Sequence, residues 1–560
     1  MRTIIILIVS SYSILISNGQ SVFQRSYGNN SNERCQSAIP TSDGGFLLNG
    51  ATVYSGFGGV DGLIVKTDAS GNVQWVKICG STANEIPAYV AETYNNQFIF
   101  IGTTDSTVGG TLDALIYKTD SAGNFLWAKT FGGSNSETGI KIIEMPDHGY
   151  VFTGTTFSYG AGGGDPYIVR TDMNGDTIFT RIYGTPNDDI GKSISLTSDG
   201  GFILCGKRIA SNGGPNFDQA FLIRIDSMGD MMWTKSYGDT LFQEAQAVAQ
   251  TADGGFIACG SRNYSNLGNY DILLFKTDST GNIQWSKTYG GNSGDASYAV
   301  TVNQDGSFVV SGYTNSMGYG HSLRQSAQGA FQMADPIEIL ISTAFNPGDD
   351  STNVFLMKTD ANGDTIWTRS YGDSLLDEAF LSVKTPDEGF ILAGYSDYHT
   401  ADSTQMLVIK TDSLGFAGCN TLTSHPVIVT DLLTEFSTAF TQSSGMTMNA
   451  IQLNTMSTTV ASSYCQVTYA NEVLDKNTFR IFPVPTKDRL IVNLDLTESA
   501  SHSDPTTLTI YDMFGKSILK NVLTNQVDYF DMDVSFIKPG MYLVEINTGQ
   551  FKITRKVVKE

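Results

Sequence analysis

The stretch KTDASGNVQW at residues 66–75 recurs six more times along a chain of 560 residues. The later copies read KTDSAGNFLW, RTDMNGDTIF, RIDSMGDMMW, KTDSTGNIQW, KTDANGDTIW and KTDSLGFAGC. Their shared aspartates lie 52, 52, 54, 52, 82 and 52 residues apart, at Asp68, Asp120, Asp172, Asp226, Asp278, Asp360 and Asp412. A second marker, SDGGF at 42–46, recurs in similar form with the same period, although Asn95 replaces its aspartate in the second copy. Seven copies of one unit therefore occupy most of the chain.

Each copy predicts four short β-strands. The DGGF and TDxxGN motifs are turn sequences, because their Asp, Asn and Gly residues suit tight hairpins. Continuous apolar runs such as LIVK before the second turn predict strands that are covered on both faces. Seven such units predict an all-β fold, a seven-bladed β-propeller over residues 20–418. All five tryptophans stand at one repeat position, with Phe179 in the third copy, so we predict that they pack between blades: Trp75, Trp127, Trp233, Trp285 and Trp367.

The two ends of the repeat array complement each other. The seventh copy loses its fourth strand after Gly415, whereas the stretch SVFQRSYG at 21–28 matches that strand, with Phe23 at the tryptophan position. We therefore predict that residues 21–28 complete blade seven and close the ring. This repeat resembles the propeller repeats of secreted bacterial proteins and, more distantly, the tryptophan-docking repeats of pyrroloquinoline quinone dehydrogenases. The spacing from Asp to Trp is one residue shorter than in the quinoprotein motif, so a quinone cofactor gains little support.

Charge and the N-terminus indicate where the protein works. Lys and Arg total 34 against 56 Asp and Glu, a net charge of −22, which argues against nucleic acid or an anionic membrane as a partner. Arg2 precedes an apolar run from Ile4 to Ile16, which predicts a signal peptide over 1–19. That run is shorter than a membrane-spanning helix needs, so no transmembrane span is predicted. We expect a protein that is secreted or held at the outer-membrane surface, after signal-peptide cleavage.

Carboxylates recur at two positions that should share one face of the propeller. One set precedes the first strand: Glu33, Glu85, Glu137, Asp189, Asp295 and Asp377, with Glu244 one place off. The other set stands at the start of the third strand: Asp61, Asp113, Asp165 and Asp271. They would bind calcium or a polyol, or each would accept backbone N–H groups of its own loop. We assign no cofactor, and calcium is the one alternative that this pattern leaves open.

Differences in loop length among the repeats indicate which face of the propeller binds a ligand. Copy six carries 30 additional residues between its second and third strands, within residues 315–350. Long loops in compact folds are usually functional or disordered, although this one could be a neutral decoration. His321, Arg324 and His399 fall in the loops between the second and third strands of copies six and seven, so we group them with the aspartates at the third strands as candidate binding residues. The five histidines form no recognised triad or metal spacing, and no catalytic residue is assigned.

The C-terminal part differs from the repeats. Residues 419–478 are rich in Ser and Thr and predict a strap or linker, with Cys419 and Cys465 as a candidate disulfide. From 479 to 560, FRIFPVPTKDRLIV, LTIYDMFGKSI and DVSFIKPGMYLVEI resemble the type A sorting domain of the type IX secretion system, although Val484 replaces the usual Asn. The resemblance implies a small β-sandwich that the type IX machinery recognises for export. Its motif residues are Pro483, Pro485, Tyr511, Asp512, Gly515, Lys516, Gly540 and Tyr542.

The sequence favours a binding protein over an enzyme. We predict a secreted or cell-surface propeller that binds an extracellular glycan or protein. The alternative is an extracellular enzyme, a hydrolase or a quinoprotein-like protein, that uses the acidic face. A purely structural surface or adhesion component overlaps with the first interpretation. Fold alone does not decide among them, because propellers serve many functions.

Overall fold

A computed structural model describes the chain from residue 21 to residue 559. Segments outside the description are 29–31, 54–55, 106–111, 211–216, 240, 264–269, 292, 316–351, 373–376, 397–403, 418–420, 424–426, 431–433, 438–440, 444–445, 452–453, 458–461, 466–478, 483–488, 495–505, 513–516, 524–528, 539 and 548–551. The predicted signal peptide, residues 1–19, also lies outside the described residues. Every regular element in the described part is a β-strand, which confirms the all-β fold.

Seven antiparallel sheets follow the seven repeats, and we call each sheet a blade. Strand β1, Phe23–Tyr27, belongs to the last blade. Blades one to three contain β2 Arg34–Pro40, β3 Phe46–Val53, β4 Val60–Thr67 and β5 Val73–Gly80; β6 Glu85–Glu92, β7 Phe98–Thr104, β8 Asp113–Thr119 and β9 Phe125–Gly132; and β10 Glu137–Glu144, β11 Tyr150–Thr156, β12 Asp165–Thr171 and β13 Thr177–Gly184.

The remaining blades repeat this order. Blades four and five contain β14 Asp189–Leu196, β15 Phe202–Ala210, β16 Phe217–Ile225 and β17 Met231–Gly238; and β18 Gln243–Gln250, β19 Phe256–Asn263, β20 Tyr270–Thr277 and β21 Ile283–Gly290. Blade six contains β22 Asp295–Val302, β23 Phe308–Thr314, β24 Asn353–Thr359 and β25 Thr365–Tyr371. Blade seven contains β26 Asp377–Lys384, β27 Phe390–Ser396 and β28 Gln405–Thr411, followed by β1. The predicted seven blades are confirmed.

The ring closes where the sequence predicted. Strand β1 pairs antiparallel with β28, so that Phe23 lies opposite Lys410 and Tyr27 lies opposite Met406. The first strand of blade seven, β26, also contacts the first strand of blade one, β2. First strands of successive blades contact one another all the way round, and they form the inner ring of the propeller. The N-terminal strand therefore completes blade seven, as predicted.

Each seam between two neighbouring blades holds its own apolar core. The seam between blades seven and one, for example, buries Phe23, Leu63 and Val408. Equivalent clusters fill the other six seams. Because both faces of a blade are covered in this way, the second and third strands are buried along nearly their whole length rather than at alternate residues, as in β7 and β8.

One ring-to-glycine contact repeats at all seven seams. The Trp75 ring on the fourth strand of blade one lies against Gly123 in the TDxxGN turn of blade two, where a Cβ would be 2.7 Å from the ring. Gly123 also has a φ of 76°, which disfavours any residue with a side chain. The other pairs are Trp127–Gly175, Phe179–Gly229, Trp233–Gly281, Trp285–Gly363, Trp367–Gly415 and Phe23–Gly71. The tryptophans thus pack between blades, as predicted.

A tyrosine hydroxyl reinforces most of these contacts. Tyr27 donates a hydrogen bond of 2.8 Å to the carbonyl of Gly71, the same glycine that Phe23 covers. The equivalent bonds run from Tyr183 to Gly229, Tyr237 to Gly281, Tyr289 to Gly363 and Tyr371 to Gly415. Cys79 and Phe131 replace the tyrosine in blades one and two. The fourth strand of one blade and the turn of the next are therefore joined by packing and by a buried hydrogen bond.

The Ser- and Thr-rich segment adds a fifth strand to every blade. We call residues 421–465 the strap. Its strands pair antiparallel with the fourth strands of blades six, five, four, three, two, one and seven, in that order. They are β29 Thr421–Thr423, β30 Val427–Thr430, β31 Thr434–Ser437, β32 Thr441–Ser443, β33 Thr447–Ile451, β34 Asn454–Ser457 and β35 Ser462–Cys465. The chain thus travels back around the ring and covers each outer edge, which would otherwise expose unpaired N–H and C=O groups.

The chain divides into two compact units, residues 1–468 and 469–560. The second unit has a three-stranded sheet and a four-stranded sheet. Its strands are β36 Phe479–Phe482, β37 Arg489–Leu494, β38 Thr506–Asp512, β39 Ser517–Leu523, β40 Tyr529–Asp533, β41 Gly540–Asn547 and β42 Lys552–Lys559. Their packing as a β-sandwich stays a prediction.

Deleting residues 419–468 should destabilise the propeller and make it self-associate. The deletion removes the backbone hydrogen bonds of seven strap strands, a loss on the order of several kcal/mol, and exposes the seven outer edges. Calorimetry should show a lower melting temperature, and size-exclusion chromatography should show oligomers. A chain that lacks residues 479–560 and keeps the strap is the matched control. An unchanged melting temperature and a monomeric elution would contradict a stabilising role for the strap.

Candidate functional site

The propeller has two faces of different character. We call the one that carries the DGGF and TDxxGN turns the turn face, and the opposite one the loop face. On the turn face, Asp43 of the first turn pairs with Lys66 beside the second turn at 2.8 Å. The same pair recurs in blades three to seven: Asp147–Arg170, Asp199–Arg224, Asp253–Lys276, Asp305–Lys358 and Asp387–Lys410. The turn aspartates also accept hydrogen bonds from backbone N–H groups, so the polar side chains of this face mainly stabilise its own turns.

The carboxylates before the first strands are buried in the loop face. Glu85 is 3% exposed, and it accepts hydrogen bonds from the amide of Ser81 at 2.8 Å and from its hydroxyl at 2.6 Å. Asp189 accepts the amide and the hydroxyl of Thr185 in the same way, both at 2.7 Å. The fifth blade has Gln243 at this position, and Glu244 is the next residue along the strand. The arrangement supports the second interpretation of these carboxylates, in which each one holds its own loop.

The predicted aspartates at the third strands play a similar part. Asp61 accepts the amides of Phe57 at 2.8 Å and Gly58 at 3.2 Å. Asp165 accepts the amides of Ala161 at 2.7 Å and Gly162 at 3.2 Å. Asp113 is buried at the same position, and Asp271 is half-buried. All four lie at the seam with the next blade, below the surface of the loop face.

The two sets of carboxylates meet around the glycine that ends each fourth strand. A Cβ on Gly80 would lie 1.8 Å from Oδ1 of Asp61 and 2.9 Å from Oε2 of Glu85. Gly290 stands in the same way between Asp271 and Asp295. Blades four, six and seven place Gln219, Asn353 and Gln405 where the other blades have an aspartate. The seam position therefore tolerates a neutral amide in place of the acid.

Burial and mutual repulsion disfavour the charged form of these acids. Burial, and then the charges of Asp189 and Asp188, raise the pKa of Asp165 to about 6. Burial raises the pKa of Asp61, and burial together with the charge of Asp61 raises that of Glu85. Among the residues that the structure describes, no three His, Cys, Asp or Glu side chains converge as metal ligands would. Calcium binding stays a prediction.

An aromatic group that the sequence analysis did not single out lies on the first and second strands of blades six and seven, at the inner ring and beside it. The fourth position of the first strand holds Gln36, Ala88, Ile140, Lys192 and Gln246 in blades one to five, but Tyr298 and Phe380 in blades six and seven. The second strands differ likewise, with Tyr313 and Tyr395 in the last two blades against Ala51, Thr103, Thr155, Lys207 and Ser261. We call Tyr298, Tyr313, Phe380 and Tyr395 the axial aromatic cluster. A position-by-position comparison of the seven copies would have found it, because blades one to five carry no aromatic residue at either position.

The cluster is continuous across a seam. Ring centroids are 5.7 Å apart between Tyr298 and Phe380, and 5.9 Å apart between Tyr298 and Tyr313. Phe380 lies 5.6 Å from Tyr395, and the guanidinium of Arg34 lies 4.6 Å from the centre of the Tyr395 ring. Tyr395 is buried, whereas the other three rings are half-buried. The inner ring is therefore asymmetric, with an aromatic surface concentrated in blades six and seven.

The remaining predicted site residues fall outside the description. His321, Arg324 and His399 belong to segments 316–351 and 397–403, which lie outside the described residues. Cys419 lies outside them as well, and the backbone of Cys465 pairs with Gln24. Their disulfide stays a prediction. Cys205 and Cys259 are buried free thiols, in line with a packing role.

The Asp165→Asn variant should flatten the pH dependence of stability. The pKa of Asp165 in the folded protein is above its value in the unfolded chain. Its contribution to the free energy of unfolding is therefore full below about pH 4 and is lost as pH rises through about 6. Relative to the variant, the natural chain should lose about 1 to 3 kcal/mol between pH 4 and pH 7. Asn is tolerated at this position, as Asn353 in blade six shows. Urea denaturation at both pH values measures the difference.

The matched control for this experiment is Asp305→Asn on the turn face. Hydrogen bonds from Ser307 lower the pKa of Asp305 to about 2, so this group does not titrate in the same window. If both variants changed the pH dependence of the free energy of unfolding equally, burial of Asp165 would not be the cause of that dependence.

The sorting motif forms part of the four-stranded sheet of the second unit. Tyr511 and Asp512 end β38, and Gly540 and Tyr542 lie in β41. Asp512 pairs with Tyr542 across these strands, and the Tyr542 hydroxyl donates to the carbonyl of Lys538 at 2.8 Å. Pro483, Pro485, Gly515 and Lys516 lie outside the described residues. No helix in the described part is long and apolar enough to span a membrane.

Comparison with known proteins identifies the second unit. Residues 480–560 match the family described as the secretion system C-terminal sorting domain. A separate match, 27% identical over 175 residues, is to the regulatory protein FlaEY of Caulobacter vibrioides, and it covers 27% of this chain and 18% of that protein. This partial likeness gives no clear function, whereas the sorting domain implies a secreted or cell-surface protein. The chain is a seven-bladed β-propeller repeat protein that ends in a C-terminal sorting domain of the type IX secretion system.

Proposed function

We propose that the mature protein is a non-enzymatic propeller that binds an extracellular glycan or protein on its loop face. The observation that carries this proposal is the axial aromatic cluster, which breaks the sevenfold repetition on the inner ring. A role confined to the fold would be met by the aliphatic and polar residues that the other blades carry at these positions. Half-buried aromatic rings are instead characteristic of recognition surfaces, where they supply large contact areas.

The turn face offers less to a partner. Its turns are short and similar in every copy, and their polar groups are engaged by the Asp–Lys and Asp–Arg pairs. The loop face carries the variation in length, and Tyr313 stands two residues before the insertion 315–350. His321, Arg324 and His399 belong to loops of the same two blades as the cluster, so we propose that they form the rim of the site. The net charge of −22 suits a cationic or neutral ligand better than an anionic one.

Export should depend on the second unit. Deleting residues 480–560 removes the sorting domain but none of the propeller strands, so we expect a folded protein that is retained in the periplasm. Fractionation with an antibody against the propeller measures its location, and protease resistance in the extract checks that it is folded. The full-length chain is the control. Arrival of the truncated protein at the surface would contradict the assignment of the sorting domain as the address.

Binding should depend on the loop face. We expect the mature protein to bind a member of an array of glycans and surface proteins, and we expect Tyr313→Ala to weaken that binding about tenfold. Met228→Ala, an exposed residue in a turn of blade four, is the matched control and should leave it unchanged. Surface plasmon resonance measures both variants. If Met228→Ala abolished binding while Tyr313→Ala had no effect, the ligand would lie on the turn face and the proposal would be wrong.

A further inference from the structure

We propose that the axial aromatic cluster is a receptor for an organic cation, an alkylammonium or guanidinium group of the bound partner. This inference rests on the proposed function and makes it more specific, because it names the chemical group that the inner ring recognises. Three features of the cluster support it: the ring faces, the acids beside them and a cation that the chain itself places on one ring.

The rings present a continuous π surface. Tyr298 is central, since it contacts Phe380 of the next blade at 5.7 Å and Tyr313 of its own blade at 5.9 Å between centroids. Neither pair is stacked face to face, because the interplanar angles are 63° and 40°. Because the rings of each pair meet at an angle, neither pair covers both faces of its rings, and ring faces carry the negative end of the quadrupole. Tyr298, Tyr313 and Phe380 are half-buried, so each keeps part of its surface open to solvent.

Two glutamates flank the rings. Glu244 and Glu378 are the second residues of β18 and β26, the first strands on either side of β22, which carries Tyr298. Burial, and then charges that include those of both glutamates, raise the pKa of Tyr298 and of Tyr313. Glu244 is held in place because its Oε1 accepts hydrogen bonds from Ser261 at 2.9 Å and Gln246 at 2.7 Å. The rings thus lie in a negative field.

One ring of the cluster already contacts a cation of the chain itself. Arg34, an exposed residue at the start of blade one, places its guanidinium 4.6 Å from the centre of the Tyr395 ring. The position of Arg34 shows that the edge of the cluster accepts a guanidinium, and Phe380 joins the Tyr395 ring to the rings of Tyr298 and Tyr313. A neutral sugar would also stack on these rings, but it would gain less from the charges of Glu244 and Glu378 because it carries no charge of its own.

The test uses the full mature chain and small probes of defined charge. Choline and methylguanidinium represent the cation, 3,3-dimethylbutan-1-ol is the neutral isostere of choline, and methyl glucoside represents a neutral sugar. Isothermal titration calorimetry should show choline or methylguanidinium binding about threefold to thirtyfold more tightly than the alcohol. A peptide with one central lysine, compared with its norleucine counterpart, shows whether a protein side chain can supply the cation.

Variants locate the site. Phe380→Ala and Glu378→Gln should each weaken choline binding at least about threefold. Ile140→Ala is the matched control, because it occupies the position of Phe380 in blade three, and it should have no effect. Thermal unfolding of each variant checks that the propeller is intact.

Each remaining outcome overturns the cation receptor. Equal affinity for choline and its neutral isostere would show that charge plays no part. Binding of methyl glucoside without binding of cations would make the cluster a sugar site, which would leave the proposed function standing. If no probe bound while the array ligand still required Tyr313, the cation inference would fail and the proposed function would survive. If neither probes nor array ligands bound, both would fail.

Discussion

The packing of an aromatic ring on a glycine of the next blade is the constraint on which the rest of the propeller depends. The ring ends one repeat, and the glycine lies in the TDxxGN turn of the following repeat, so the contact joins units that are adjacent in the chain. The glycine cannot be replaced without strain, because its φ is positive and the ring occupies the space of a Cβ. Seven such contacts fix the angle between successive blades, and the seventh uses Phe23 from the N-terminal strand.

Both ends of the propeller unit take part in closing the ring at blade seven. The N-terminal strand supplies the fourth strand of blade seven, and the last strand of the strap then pairs with it through Gln24 and Cys465. Blade seven is therefore assembled from three separate parts of the chain. Because the strap covers the other six blades as well, one continuous segment pairs with the outer strand of every blade. The ring gains backbone hydrogen bonds along its circumference, where a propeller would normally present open edges.

The same architecture separates the residues that hold the fold from those that are free to vary. Buried carboxylates fix the loops between blades, and turn aspartates fix the hairpins, so the acids that recur from repeat to repeat hold the fold. The inner ring is where blades six and seven depart from the other five. A binding surface at that place uses the convergence of the first strands, which brings residues from neighbouring repeats together although they are about 80 residues apart in sequence, as with Tyr298 and Phe380.

The repeat itself determined the fold, because turn residues and apolar runs act locally and their sevenfold recurrence allows one closed arrangement. Phe23 and Tyr27 could be assigned to blade seven for the same reason, since they match a motif that the last copy lacks. The sorting domain was also readable from its motifs. Only the tertiary structure decided the role of the strap, because strands of three to five residues have no pattern that specifies a partner. It alone placed Asp61 beside Glu85 and Tyr298 beside Phe380, because these pairs meet across seams, and contacts between separate sheets leave no mark in the periodicity of either strand.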